Sequence, residues 1–278
     1  MKDTEVKANV RGKYAEVALQ SQSCCGPKQA CGCNCGTSTG DISKTIGYTD
    51  EDLAAVPEGA NLGLGCGNPV ALASLKEGET VLDLGSGAGF DCFLAAKKVG
   101  ESGRVIGVDM TPEMLDKARE NARKGGYTNV EFRLGEIENL PVADNSVNAI
   151  ISNCVINLAP DKKRVFKEAF RVLKPGGRLM VSDIVLTKAL PDAIKNSIEA
   201  YVGCIAGASL ESDYLGAIAE AGFKDVRIIE ESSSFVESLM YDPTAAEILE
   251  SLKLTPAKAR ELAGTVKSAR VHAVKPEK

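Results

Sequence analysis

Histidine is almost missing from this 278-residue sequence, with His272 as its single example, and tryptophan is absent. A mechanism built on an imidazole base, a Ser-His-Asp relay or a histidine-rich zinc site therefore has one candidate at most. An excess of positive charge is missing too. The 33 Lys and Arg against 38 Asp and Glu leave a net charge of −5, which excludes the basic face that a non-specific nucleic-acid binder needs. No apolar run approaches the roughly 20 residues that span a bilayer. The charged, polar N-terminus lacks the apolar region of a secretory signal. Hydrophobic residues at 44% and charged residues at 26% are ordinary for a globular protein. The expectation is a cytosolic enzyme with neither nucleic acid nor membrane as partner.

What is present is sulfur. Nine cysteines are too sparse for a disulfide-stapled scaffold. An odd count without a secretory signal favours reduced thiols with a chemical or ligand-binding role. Cys24, Cys25, Cys31, Cys33 and Cys35 cluster in the glycine- and serine-rich stretch 21–40, which has little to pack and reads as a loop or a ligand-dependent segment. The C-x-C-x-C spacing is a poor match to structural zinc sites, which favour pairs two to four residues apart. It reads either as a soft-ion trap or as a loop without function.

Before that stretch, Val6, Val10, Tyr14 and Val17 recur at helical spacing and predict an amphipathic helix over 5–20. From residue 80 onward, apolar β-branched runs (80–84, 104–109, 130–134, 147–152, 178–183) alternate with helical stretches such as 112–124 and 161–173. Nearly continuous apolar strands between helices imply a doubly wound parallel sheet of the α/β class. A helical stretch leads to Cys204, another helix lies near 212–220, and a strand covers 226–231. Two helices (243–252 and 256–263) and a final strand, 265–274, complete the pattern. The expected organisation is an N-terminal helix with a Cys-rich segment (1–45), a catalytic domain (46–235) and a C-terminal extension (236–278).

The strongest local signal is VLDLGSGAGFD, residues 81–91. A strand runs into Gly85, Ser86, Gly87 and Gly89, and a helix follows, so that a ligand can approach the helix N-terminus closely. A tight strand–helix turn without a ligand would look similar. The G-x-G-x-G spacing differs from the G-x-G-x-x-G of dinucleotide sites, and Asp83 would repel a diphosphate but attract a cation. Asp109 ends the next strand, where a carboxylate accepts from both ribose hydroxyls. GEIENLP (135–141), with Glu136 and Ile137, is placed to enclose an adenine ring, and LKPGG (173–177) reads as the turn into the fifth strand. Over residues 75–230 these features resemble the class I S-adenosylmethionine-dependent methyltransferases. That resemblance implies a Rossmann-like seven-stranded sheet and S-adenosylmethionine as cosubstrate, with Asp91 and Met110 added to its contacts; Asn153 is added from its position after the fourth strand, as a contact to the methionine portion.

Cys66 lies in GLGCGNP, Cys154 in SNCVINL after the fourth strand, and Cys204 in YVGCIAGA. Together with VRGKYAEVA (10–18) and GVDMTPEML (107–115), these stretches resemble the arsenite S-adenosylmethionine methyltransferases. Generic methyltransferases have no reason to place cysteine at all three positions. A lone buried cysteine is ordinarily a small hydrophobe, and Cys92 is assigned to that class. The resemblance implies that Cys154 and Cys204 hold trivalent arsenic throughout, while Cys66 binds it and later enters a disulfide relayed by Cys24 or Cys25. Arsenite and methylarsenite are then the substrates, methylated and dimethylated arsenicals the products, and thioredoxin or glutathione the external reductant. Two competing readings are a methyltransferase for another small acceptor, such as a quinone, and a soft-metalloid-binding protein. The first would want more aromatics than 5% of the chain, and the second leaves the glycine turn unexplained. No chemical signature is legible after about residue 235.

Overall fold

The computed structural model describes residues 3–20, 39–191, 194, 205–232 and 261–278. The predicted strands appear where the apolar runs lie, as β1 (Thr80–Leu84), β2 (Arg104–Asp109), β3 (Val130–Leu134), β4 (Val147–Asn153), β5 (Leu173–Leu186), β7 (Lys224–Ser232) and β8 (Val266–Val274), and a two-residue β6 (Ser209–Leu210) that was not predicted joins them. Seven of them follow the order β3-β2-β1-β4-β5-β8-β7, and β6 pairs with β5 off that path. β8 runs antiparallel to both neighbours, while the pairs from β3 through β5 are parallel. This is the expected doubly wound α/β sheet. Its order reverses between β1 and β4, so ligands belong outside the carboxyl ends of those two strands.

Strand alternation sorts the side chains into two layers. On β1, Leu82 and Leu84 join the cluster built with Val165, Phe166, Tyr214 and Ile218. Val81 joins Phe93, Leu94, Leu115 and Ala118 on the opposite face. The helices that supply these residues are α5 (Phe90–Val99), α6 (Pro112–Gly125), α7 (Lys162–Val172) and α8 (Glu211–Glu220), following α1 (Asp3–Gln20), α2 (Thr39–Thr45), α3 (Asp50–Ala54) and α4 (Pro69–Leu72) in the chain. Each leucine or phenylalanine so buried contributes roughly 1.5–3 kcal/mol. Local chemistry sets the ends. Thr49 and Asp52 form a reciprocal capping box on α3, and Pro112 opens α6. Asp161 caps α7 by accepting from the Arg164 N–H at 3.0 Å.

One expectation is corrected. LKPGG is the beginning of β5 rather than a turn before it. Residue partners step from Val147–Leu173 to Ala149–Arg178, so the strand bulges there. The bulge is held from the other side, Gly176 N–H donating to Lys275 O (2.9 Å) and Lys275 N–H to Gly177 O (2.8 Å). Arg178 then anchors the base of the sheet through a two-pronged pair with Glu79 at 2.8 and 2.7 Å. The predicted helix leading to Cys204 and the helix at 243–252 lie largely or wholly outside the described residues. Of the helix predicted at 256–263, residues 261–263 are described and helical. No helix among the described residues is long and apolar enough to cross a membrane.

Candidate active site

The glycine turn sits at the carboxyl end of β1, at the sheet's reversal point. Gly85 has φ +72°, and a Cβ there would lie 2.4 Å from Val155 Cγ2, so only glycine fits. Gly87 also has positive φ, but a Cβ there would meet nothing within 4 Å. That space is a cavity walled by Asp83, Ser86, Asp109, Met110, Ile137 and Asn153. Asp109 stitches its floor together, accepting from the N–H groups of Gly87 (2.9 Å) and Thr111 (2.8 Å). Gly89 is outside the wall; it starts α5, and a Cβ there would collide with Phe93 and Phe132.

The electrostatics of this cavity call for a cation. Burial pushes the carboxyls of Asp83 and Asp109 upward, and the neighbouring charges of Asp91 and Asp109 raise Asp83 further. Burial also lifts Asp91 to about 6, even though Tyr48 and Asn153 donate to it. Ser86 Oγ is buried and has no hydrogen-bond partner. Three crowded carboxylates, an orphaned hydroxyl and an open glycine cradle fit an adenosyl sulfonium with its positive charges and hydroxyls; they do not fit a diphosphate. Cys92, buried beneath, donates to Asp83 at 3.2 Å, and burial pushes its thiol pKa well up. It stands where a small core residue was expected.

Helix α1 closes one side of the cavity through Lys7, Val10 and Tyr14. Of the positions predicted to form its apolar face, Val6 and Val10 are buried and Tyr14 and Val17 half-buried, while Ala18, outside the prediction, is also buried. Lys7 reaches across to Glu136 (2.7 Å) and Glu138 (3.0 Å). Glu138 lines the cavity, whereas Glu136 turns outward to Lys7 and remains half exposed.

Asn153, predicted as a cofactor contact, lines the cavity and links it to a second element. Its Oδ1 accepts from Cys66 N–H at 3.0 Å. Its Nδ2 lies 2.8 Å from Gly67 O, 2.9 Å from the Tyr48 hydroxyl and 3.1 Å from Asp91 Oδ2, and Tyr48 donates in turn to Asp91 at 2.6 Å. One carboxamide thus joins the carboxylate wall of the cavity to the loop that carries Cys66.

That loop brings two of the predicted thiols together. Cys66 and Cys154 are both buried, and their sulfurs and a carboxylate oxygen of Asp183 all lie within 4.8 Å of one another. Cys154 is held with φ +58°, a left-handed conformation that costs a non-glycine residue about 1 kcal/mol or more. Its N–H donates to Ser182 O at 2.8 Å, and the Cys66 thiol approaches the same oxygen at 3.5 Å. Ser268, on β8, donates to Cys66 O at 2.7 Å. Asp183 accepts from Asn157 (2.8 Å) and Tyr214 (3.0 Å), and burial raises its carboxyl to about 6. Cys204, Cys24, Cys25, Cys31, Cys33 and Cys35 lie outside the described residues. Cys66, Cys92 and Cys154 are the cysteines among the described residues, and Cys92 is a free thiol. Sequence reasoning missed Tyr48, Asp183, Tyr214 and Ser268. Only Asp183 left a trace, as a lone acid inside the apolar run VSDIVL.

The sheet order and the glycine cradle at its reversal point define a methyltransferase domain, and the family model described as "Methyltransferase domain" matches residues 75–231. An arsenite methyltransferase of Halobacterium salinarum is 52% identical over 254 residues, a match spanning 89% of this chain and 65% of that protein. The human arsenite methyltransferase is 34% identical over 239 residues, spanning 82% of this chain and 61% of its own length. The crystal structure of an arsenic(III) S-adenosylmethionine methyltransferase from Chlamydomonas reinhardtii superposes with a TM-score of 0.60 at 33% identity, covering 84% of this chain and 73% of that one. This chain belongs to the arsenic(III) S-adenosylmethionine methyltransferase family. It spans less than two thirds of the curated relatives' lengths.

Proposed function

We propose that this chain methylates trivalent arsenic held by Cys66, Cys154 and Cys204, with S-adenosylmethionine bound over the glycine turn. The observation that carries the reading is the junction at Asn153, where a carboxylate-walled cavity and a pair of buried thiols share one side chain. When bound, S-adenosylmethionine supplies an electrophilic methyl group. Asp83, Asp91 and Asp109 balance its positive charge, Ser86 and Gly87 line its cradle, and Met110 and Ile137 pack beside it. Glu136 serves from outside, by holding Lys7 and with it α1. The thiolates give arsenic a soft pyramidal shell and leave its lone pair outward. Such a nucleophile needs no base, in keeping with a chain that has one histidine. The protein's contribution is orientation, which can remove several kcal/mol of barrier.

Methyl transfer raises arsenic to the pentavalent state. Two thiolates, Cys66 and either Cys24 or Cys25, return two electrons as their sulfurs join in a disulfide, and an external dithiol or glutathione restores them. A second cycle on methylarsenite gives the dimethylated product, and arsenic detoxification in the cytosol is the setting. The division into 1–45, 46–235 and 236–278 belongs to the same proposal: the first segment delivers sulfur, the second holds both substrates, and the third closes the sheet behind Cys66. Product speciation after incubation with arsenite, S-adenosylmethionine and a thiol reductant tests the reading. Methylarsenite and dimethylated arsenic are expected from the parent chain and neither from Cys154→Ser or Cys204→Ser. Full activity in both variants would overturn the thiolate site.

A further inference from the structure

We propose that Cys66, Cys154 and Asp183 also form a binding site for a thiophilic divalent cation of the zinc class, in which the carboxylate is a ligand in its own right. The donor set is the first reason. Two sulfurs and one carboxylate oxygen, from the loop before α4, the end of β4 and the middle of β5, lie mutually within 4.8 Å. Zinc-class ions bind sulfur at about 2.3 Å and oxygen at about 2.0–2.2 Å, so a tetrahedral shell needs donors roughly 3.5–3.8 Å apart. The site reaches that spacing by contracting about 1.3 Å at most.

The second reason is the way Asp183 is held. Asn157 and the Ile184 N–H donate to its Oδ1 at 2.8 and 2.9 Å, and Tyr214 donates to Oδ2 at 3.0 Å. Uncharged donors that orient a fully buried carboxylate toward two thiols are the outer support that a metal ligand requires. Trivalent arsenic, which is soft, gains little from a carboxylate, whereas a zinc-class cation accepts it as a third ligand beside the two thiolates. Binding is balanced as the cation joining two thiols with release of two protons to solvent, leaving a neutral dithiolate beside the carboxylate. Because the cation takes the sulfurs of Cys66 and Cys154, it excludes any arsenical from them. The site stands whether or not this chain methylates arsenic.

Cadmium ion alone, as the spectroscopic stand-in for zinc, tests the site in the full chain with Cys24, Cys25, Cys31, Cys33 and Cys35 replaced by serine. The thiolate-to-cadmium charge-transfer band is easily read in a protein without tryptophan. One equivalent should saturate the band, and Cys204→Ser should leave both stoichiometry and affinity intact. Asp183→Asn should weaken cadmium about tenfold or more and leave the affinity for arsenite unchanged. Equal cadmium affinity in Asp183→Asn, or loss of binding in Cys204→Ser, would overturn the proposal, the latter by assigning the metal to three thiols. Should Asp183→Asn fail to fold, Tyr214→Phe replaces it: a several-fold loss of cadmium affinity supports the carboxylate's role and no change refutes it.

Discussion

Asn153→Ala probes the junction between the two halves of the site. The side chain makes four polar contacts, with Cys66 N–H, Gly67 O, the Tyr48 hydroxyl and Asp91. Removing it leaves a backbone donor and a raised carboxylate short of partners in a largely enclosed space. A net hydrogen bond is worth about 1 kcal/mol and an orphaned buried group costs about 1–3, so the variant should lose about 2–4 kcal/mol. For a chain of this size that is a fall of roughly 5–15 °C in melting temperature, read by circular dichroism at neutral pH. Tyr48→Phe removes another member of the same cluster. If the cluster acts as a unit, the double variant should lose about 0.5–3 kcal/mol less than the sum of the two single losses. Calorimetric titration with S-adenosylhomocysteine should show weakened binding in both single variants. Strict additivity together with unchanged cofactor affinity would refute the idea that Asn153 ties the thiol loop to the cavity wall.

Other consequences are as direct. Glu79→Gln removes the charge from the two-pronged pair with Arg178 and should cost about 1–3 kcal/mol at neutral pH. Its partner holds the Glu79 carboxyl below its ordinary value despite the desolvation that opposes this. The contribution is therefore present above the unfolded-state value, and the gap between variant and parent should close as pH falls through the folded one. Asp183 has the opposite sign, because burial raises its carboxyl to about 6 from 3.8. The parent should lose roughly 3 kcal/mol from this group between about pH 3 and pH 7. Asp183→Asn, measured by denaturant titration, should gain on the parent by that amount over the interval, and a pH-independent difference would contradict the assignment. Lys7→Gln cuts the contacts to Glu136 and Glu138, so chymotrypsin should cleave after Tyr14 several-fold faster, with cofactor analogue restoring protection in the parent more than in the variant.

The central sheet was legible because its strands are continuous apolar runs and its helices carry caps and glycine stops; β1, β2 and β3 match their predicted bounds to the residue. The cavity was legible because the glycine turn and the strand ends beside it fix where side chains must stand; Asp83, Asp109 and Asn153, read from those positions, all line it. The supporting contacts were hidden for a physical reason. Tyr48, Tyr214 and Ser268 reach the site by long-range packing, with Ser268 202 residues from its partner Cys66, and no local period marks such a pairing. LKPGG was misread because a proline and two glycines ordinarily break a strand, and here the bulge they create is held by Lys275, far along the chain.

The placement of β8 between β5 and β7 also bears on how the chain is made. Synthesis is vectorial, so when β5 and β7 leave the ribosome the strand that joins them has yet to emerge. Until it emerges, the nascent protein carries an unzipped β-edge and a thiol loop with no backstop, since the hydroxyl that steadies Cys66 arrives with Ser268. A chain cut short before residue 266 therefore leaves a sticky fragment instead of a partly competent one.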